Sequence, residues 1–199
     1  MEMADELGNW RRTHYSTQVT PALDGQDVTV FGWVGSVRRQ SGITFVMLND
    51  KEGKMQVTLH RSEASAELLK RFESIREHTS MGVRGKVKKM VKSPNGAEII
   101  PVDAKILSLP TLRPAFSVYG GNLPSLEKRL DIRAADLRRE KAQAIFSIMR
   151  AVLRAVREFL QDNGYLEVVT PKLITSATEG GASLFSVLYY NKPAFLTQS

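Results

Sequence analysis

Apolar and polar positions alternate over much of residues 28–108, the pattern of strands with one buried face. Val28–Arg38 has the length and β-branched content of a long first strand, and Ile43–Asp50 is a second, reached through Ser41-Gly42. In Met55–His60, Met55, Val57 and Leu59 share one face, with Gln56 and Thr58 on the other. Between these two strands, Lys51-Glu52-Gly53 is expected to form a hairpin turn with Gly53 at a positive φ. Ser62–Ile75 reads as a helix opened by a serine cap. Strands Met81–Met90 and Ala97–Leu109 follow, around a tip at Ser93-Pro94-Asn95-Gly96.

The pattern then changes. Pro110, Pro114, Gly120, Gly121 and Pro124 punctuate residues 110–133, where no period survives, so this segment reads as a connector. Residues 134–164 read as one long helix, with Ile145, Ile148, Met149, Val152, Val156, Phe159 and Leu160 in an apolar stripe. Arg150, Arg154 and Arg157 lie off that stripe, Arg154 and Glu158 are spaced to pair, and Asn163-Gly164 supplies the stop. A strand over residues 165–170, closed by Pro171, comes next. The last strand candidates are Leu184–Tyr190 and Ala194–Ser199, joined through Asn191-Lys192-Pro193.

Three strands, a helix and two strands, the first strand long, is the order of the five-stranded OB-fold barrel; another small β-barrel is the alternative. The fold class is therefore α+β. The expected domains are residues 1–109 for the N-terminal extension and barrel, 110–133 for the hinge and 134–199 for the part built on the long helix. OB-folds often hold single-stranded nucleic acid, with exposed aromatics for stacking and basic side chains for phosphates.

Composition narrows this further. The 199 residues are 42% hydrophobic and 25% charged, as in an ordinary globular protein. No apolar run approaches the ~20 residues of a membrane helix, so no membrane association is expected. The acidic start, Met1–Arg12, has no apolar core and is not a signal peptide. The absence of cysteine excludes disulfides and thiolate metal ligands, and fits a cytoplasmic protein. His14, His60 and His78 are far apart, so no metal site is expected. The net charge of +7 is uneven: residues 1–27 carry −3, residues 28–108 carry +6 and residues 109–199 carry +4. A basic barrel suits a polyanion partner, though a solvated surface has the same composition.

Motifs in the second half bring in a family. Residues 163–173, with Gly164, Tyr165, a strand, Pro171 and an apolar residue, resemble motif 1 of the class II aminoacyl-tRNA synthetases. Thr178-Glu179-Gly180-Gly181 resembles the aspartyl branch, since the asparaginyl branch usually has Glu-Gly-Ala-Gly there, and Arg11–Ser16 resembles the start of archaeal-type aspartyl-tRNA synthetases. The resemblance implies an anticodon-binding OB-fold, a hinge, and the start of an antiparallel α+β catalytic domain. It implies that Phe45 stacks on the central anticodon base and that Gln56 and Glu98 help read the anticodon. It also implies that Glu179 holds the α-ammonium of aspartate, a charge-assisted pair, and that motif 1, including Gly164, Tyr165 and Pro171, forms a homodimer interface. Without the resemblance, Phe45 is more simply a core residue and Glu179 an exposed loop acid.

The reaction implied is ATP-dependent aspartylation of tRNA through aspartyl-adenylate, with ATP and magnesium as cofactors. Motifs 2 and 3, which bind ATP, do not occur in these 199 residues, so the chain is expected to hold the anticodon module and the front of the catalytic domain, and to be inactive alone. Discriminating relatives carry a tryptophan and a lysine where this chain has Gly35 and Pro94. Glycine and proline offer neither a stacking face nor a charged donor, which points to an enzyme serving both tRNA-Asp and tRNA-Asn. Two other readings stay open: a non-catalytic OB-fold protein binding single-stranded nucleic acid, and a relative of asparaginyl-tRNA synthetase.

Overall fold

The computed structural model describes residues 4–112, 116, 118–120, 122–175 and 185–197. Five strands, β1 (Asp27–Gln40), β2 (Ile43–Asn49), β3 (Lys54–His60), β4 (Ser80–Lys89) and β5 (Ala97–Ser108), form a closed barrel in the order β1-β2-β3-β5-β4. β3 and β5 are parallel and meet at Gln56–Glu98 and Val57–Ile99; the other pairs are antiparallel. The inward positions Val30, Val34, Val46, Leu48, Val57, Val83 and Ile99 are fully buried. Each contributes ~1.5–3 kcal/mol by leaving water, so the alternation in the sequence becomes the inside and outside of the barrel wall. Helix α1 (Ala66–Ser74) packs Leu68 and Phe72 into the same core.

Residues ahead of β1 lie along the barrel. Trp10 is buried beneath the Arg84 guanidinium, 4.2 Å from its ring centroid. Asp50 accepts from the Ser16 backbone N–H at 2.8 Å and the Ser16 hydroxyl at 2.7 Å.

The first unit departs from the expected pattern at several points. Gly53 does not take a positive φ. Instead, Asp50 Oδ1 accepts from the backbone N–H groups of Glu52 and Gly53 at 2.8 and 3.2 Å, and this side-chain bracket shapes the turn. Helix α1 starts later than expected, with Ser65 rather than Ser62 as its cap, accepting from the Leu68 N–H at 3.2 Å. The expected connector contains helix α2 (Leu126–Asp131).

The expected single helix is two: α3 (Arg133–Asp136) and α4 (Glu140–Asp162). The break follows from Asp136, which is fully buried and gathers Arg133 at 2.8 Å, Arg139 at 2.9 Å and Arg129 at 3.5 Å. Burial alone would raise this carboxyl. The hydrogen bond from Arg139 and the charges of Arg129, Arg139 and Arg133 outweigh it and hold Asp136 below its ordinary value of 3.8.

The chain divides into two compact units, Met1–Ala144 and Ile145–Ser199. In the second unit, α4 ends as expected. Gly164 takes φ +83, its N–H bonds to Gln161 O at 3.0 Å, and the Tyr165 N–H bonds to Leu160 O at 3.0 Å, the paired bonds of a Schellman stop. The Arg154–Glu158 pair is present at 2.6 Å. The expected strand over residues 165–170 is not formed: these residues have no ladder partner among those described, and Leu166 and Val169 are 86% and 92% exposed. Hydrophobic β-branched residues set up a strand, but only a neighbour supplies its hydrogen bonds.

Strands β6 (Leu173–Ile174), β7 (Ser186–Tyr189) and β8 (Lys192–Leu196) form a small antiparallel sheet with β8 central. The turn before β8 is Tyr190-Asn191, at φ 48 and 59, rather than the expected Asn191–Pro193. Pro193 lies within β8. Among the described residues, strand β6 reaches β8 only at Phe195 and Leu196, short of Pro193.

Candidate nucleic-acid interface

Because inward and outward positions alternate, the barrel presents a second set of side chains on its outer wall. Phe45 lies there, opposite Arg38 of β1 and Thr58 of β3. It is half-buried rather than part of the core, and the Arg38 guanidinium carbon stands 4.8 Å from its ring centroid. Gln56 is two residues from Thr58 on the same face of β3, and the parallel β3–β5 register sets Glu98 directly opposite it. Lys88 of β4 is the next cross-strand neighbour, opposite Glu98 and exposed. The three residues singled out in the sequence, Phe45, Gln56 and Glu98, therefore share the outer face of β2, β3 and β5, with Gln56 and Glu98 directly opposite each other and Phe45 on the neighbouring cross-strand row, opposite Thr58.

The geometry on this face is polar and tightly connected. Gln56 Nε2–H donates to Glu98 Oε2 at 2.9 Å and to Thr58 Oγ1 at 3.2 Å, while the Thr58 hydroxyl donates to the same Glu98 oxygen at 2.6 Å. Thr58 and Glu98 are each only 2% exposed. An aromatic ring, a guanidinium and a braced amide at strand spacing can stack on bases and hydrogen-bond to their edges. Among the described residues, no three histidine or carboxylate side chains are placed to hold a metal ion.

Sequence reasoning placed Arg38 and Thr58 on strands but gave neither a part in the site. Their signal was available: both are outward positions in register with Phe45, Thr58 alternating with the core residues Val57 and Leu59.

The remaining candidates are scattered. Gly35 is buried at an irregularity between Val34 and Ser36, and a Cβ built on it would sit 2.0 Å from Asn49 Nδ2. The Asn49 side chain thus fills the space that any larger residue at 35 would need. Pro94 begins a short 3₁₀ turn at the tip between β4 and β5. In that tip, Asn95 takes φ 60 and its Nδ2 donates to Ser16 O at 2.9 Å and Lys54 O at 3.2 Å. Gly164 closes α4, while Tyr165 and Pro171 are exposed on the segment after it. Glu179, with Gly180 and Gly181, lies outside the described residues.

At the other end of the outer wall, Arg138 stands 4.7 Å from the Trp33 ring centroid. His78 stacks on Tyr119 at 5.5 Å, and its Nδ1 is buried without a partner among the described residues. Burial depresses the imidazole below its ordinary 6.5, the Arg138 charge adds to this, and Glu77 opposes it.

Comparison with known proteins agrees with this layout. Residues 28–107 match the OB-fold nucleic acid binding domain, and residues 125–199 match the tRNA synthetases class II family of the D, K and N type. The chain is similar to an aspartate–tRNA(Asp/Asn) ligase of Methanococcus aeolicus, 41% identical over 97% of this chain and 44% of that protein. Similarity to the aspartate–tRNA(Asp/Asn) ligase of Archaeoglobus fulgidus is 42% identity over 93% of this chain and 43% of that protein. Among solved structures, asparaginyl-tRNA synthetase from Pyrococcus horikoshii complexed with asparaginyl-adenylate superposes with a TM-score of 0.84. It is 31% identical, over 95% of this chain and 43% of that one. The chain spans less than half the length of these relatives. This chain therefore joins an OB-fold nucleic acid binding domain to a segment of the class II tRNA synthetase domain, and over nearly all its length it is similar to archaeal aspartate–tRNA(Asp/Asn) ligases.

Proposed function

We propose that this chain is the anticodon-reading part and the front of the catalytic domain of an aspartate–tRNA ligase serving both tRNA-Asp and tRNA-Asn. The observation that carries the reading is the outer-wall group: Phe45 is half-exposed for stacking, and on the neighbouring row of the same face Gln56 and Glu98 are directly opposite and hydrogen-bonded. The net charge of +6 over residues 28–108 suits the phosphates of an RNA loop. In the whole protein, ATP and magnesium would supply the adenylating chemistry, and Glu179 would hold the α-ammonium of aspartate.

Service to both tRNAs is supported by the names of the archaeal relatives and by the two marker positions. At Gly35, Asn49 occupies the space where an added side chain would start. At the tip, Pro94 carries no donor, and the neighbouring Asn95 amide is engaged with the barrel through Ser16 and Lys54. A homodimer through the α4 stripe and the segment from Tyr165 to Pro171 fits their exposure. A cytoplasmic location fits a tRNA-binding role.

Nuclease protection of tRNA-Asp and tRNA-Asn transcripts by this chain tests the reading. We expect protection centred on the anticodon loop of both, with affinities within tenfold of each other. Protection confined to the acceptor arm would contradict the anticodon assignment. A hundredfold preference for tRNA-Asp, ~2.7 kcal/mol, would contradict service to both.

A further inference from the structure

We propose that Thr58 and Glu98 are positioning residues that lock the side-chain amide of Gln56 in one orientation, so that this position reads a base only as a hydrogen-bond acceptor. This rests on the anticodon reading above and deepens it. The outer wall holds two kinds of polar group. Gln56 is partly exposed, whereas Thr58 and Glu98 are each 2% exposed and reach solvent hardly at all. A group so buried has little edge to offer a base, so Glu98 acts through its neighbour.

The direction of the bonds fixes the rest. Glu98 Oε2 receives both the Thr58 hydroxyl at 2.6 Å and the Gln56 amide nitrogen at 2.9 Å. As the shared acceptor of both bonds, this oxygen has no proton to give. Gln56 must therefore turn its NH₂ inward, because the flipped amide would set its carbonyl oxygen against the carboxylate. Thr58 closes the triangle. Its single proton goes to Glu98, so its oxygen is left to accept from Gln56 Nε2 at 3.2 Å, a second contact that only the NH₂ end can make. The Gln56 carbonyl Oε1 has no partner among the described residues and is not among the buried unpartnered atoms, so it is the end left for a ligand.

A free glutamine is ambivalent, since it pairs with a donor or an acceptor by rotating its amide. Here rotation breaks two hydrogen bonds to buried groups. Gln56 therefore demands an N–H donor from the base edge it meets, and an edge presenting only an acceptor is refused. Thr58 thus contributes to selectivity without touching the RNA.

The test is a panel of anticodon stem-loops, the GUC loop and its single-base variants, titrated against wild type, Thr58→Val, Thr58→Ser and Glu98→Gln, with a thermal melt of each protein. Thr58→Val is isosteric and suits a strand. Glu98→Gln supplies an amide that can donate to a flipped Gln56. We expect both variants to fold, Thr58→Val with a lowered melt because buried Glu98 loses a donor, and Thr58→Val to bind the cognate loop within about threefold of wild type. The gap between cognate and best mismatched loop should shrink about tenfold, with Thr58→Ser restoring it. A merely structural role would lower binding to all loops together and leave the gap intact. If wild type discriminates and Thr58→Val and Glu98→Gln discriminate equally well, the orientation lock is wrong while the anticodon reading stands. If wild type itself shows no preference among the loops, the anticodon reading falls and the lock with it.

Discussion

Two regions of this chain carry equally clear apolar patterns and meet opposite fates. In the barrel, Val30, Val46 and Val57 are fully buried, each strand covering the next. On α4, Ile148, Met149 and Val152 repeat just as regularly, yet they are 64%, 53% and 55% exposed. An apolar period specifies that a face will be covered, not by what. The barrel closes on itself and so satisfies its own pattern. A lone helix stripe needs a surface supplied from elsewhere, which is why the proposed homodimer and the polar outer wall of the barrel are separate questions about function.

The largest effects should come from breaking the barrel side of this contrast. Leu48→Ala removes a fully buried side chain and should cost ~2–5 kcal/mol in urea unfolding, whereas Val152→Ala on α4 should cost under about 0.5 kcal/mol in the dilute chain. Comparable losses at the two sites would mean that the α4 stripe is covered within this chain after all. Asp136→Asn follows, at roughly 3 kcal/mol near neutral pH, because it leaves arginines around a buried site without their carboxylate. Since the folded Asp136 titrates below 3.8, its stabilisation is fully present above that value and is lost as pH falls through the folded pKa. An acid unfolding limb that is the same with and without Asp136 would contradict this.

Two smaller effects sharpen the comparison. Val152→Glu places a charge in the exposed stripe and should weaken self-association in sedimentation at least tenfold without changing the melt. A monomer at all concentrations for both proteins would remove the basis for the proposed dimer. The smallest effect belongs to His78, whose folded pKa lies below 6.5. The unfolded chain binds its proton first, so stability should fall gently as pH drops from 6.5 toward the folded value. His78→Asn, which tolerates the left-handed backbone at φ 71, should flatten that slope.

Much of the barrel was legible because its evidence is local. Alternation, turn residues and element order point to one closed sheet, and Asn163-Gly164 marks the helix stop that Gly164 makes at φ +83. What escaped the sequence depended on tertiary partners. The break before α4 needs Asp136 to collect Arg129, Arg133 and Arg139, a gathering that helix periodicity does not show. Residues 165–170 have strand composition but no ladder partner among the described residues. The 50–53 turn is set by the Asp50 carboxylate instead of a glycine conformation. At the interface, the family resemblance marked Phe45, Gln56 and Glu98, and the β2–β3 and β3–β5 registers bring them together. That Glu98 is buried, and that Thr58 stands between it and Gln56, depends on packing across three strands and could not be read from spacing alone.

The most direct measurement is the affinity of a GUC anticodon stem-loop for wild type and for Phe45→Ala, at fixed salt. Phe45 is an outer-wall residue, so its loss should leave the melt nearly unchanged while weakening binding by ~1–3 kcal/mol, the worth of one base stacked on a ring. A loss well under ~1 kcal/mol, or a collapse of the fold with binding merely following it, would contradict the assignment of this wall to the anticodon.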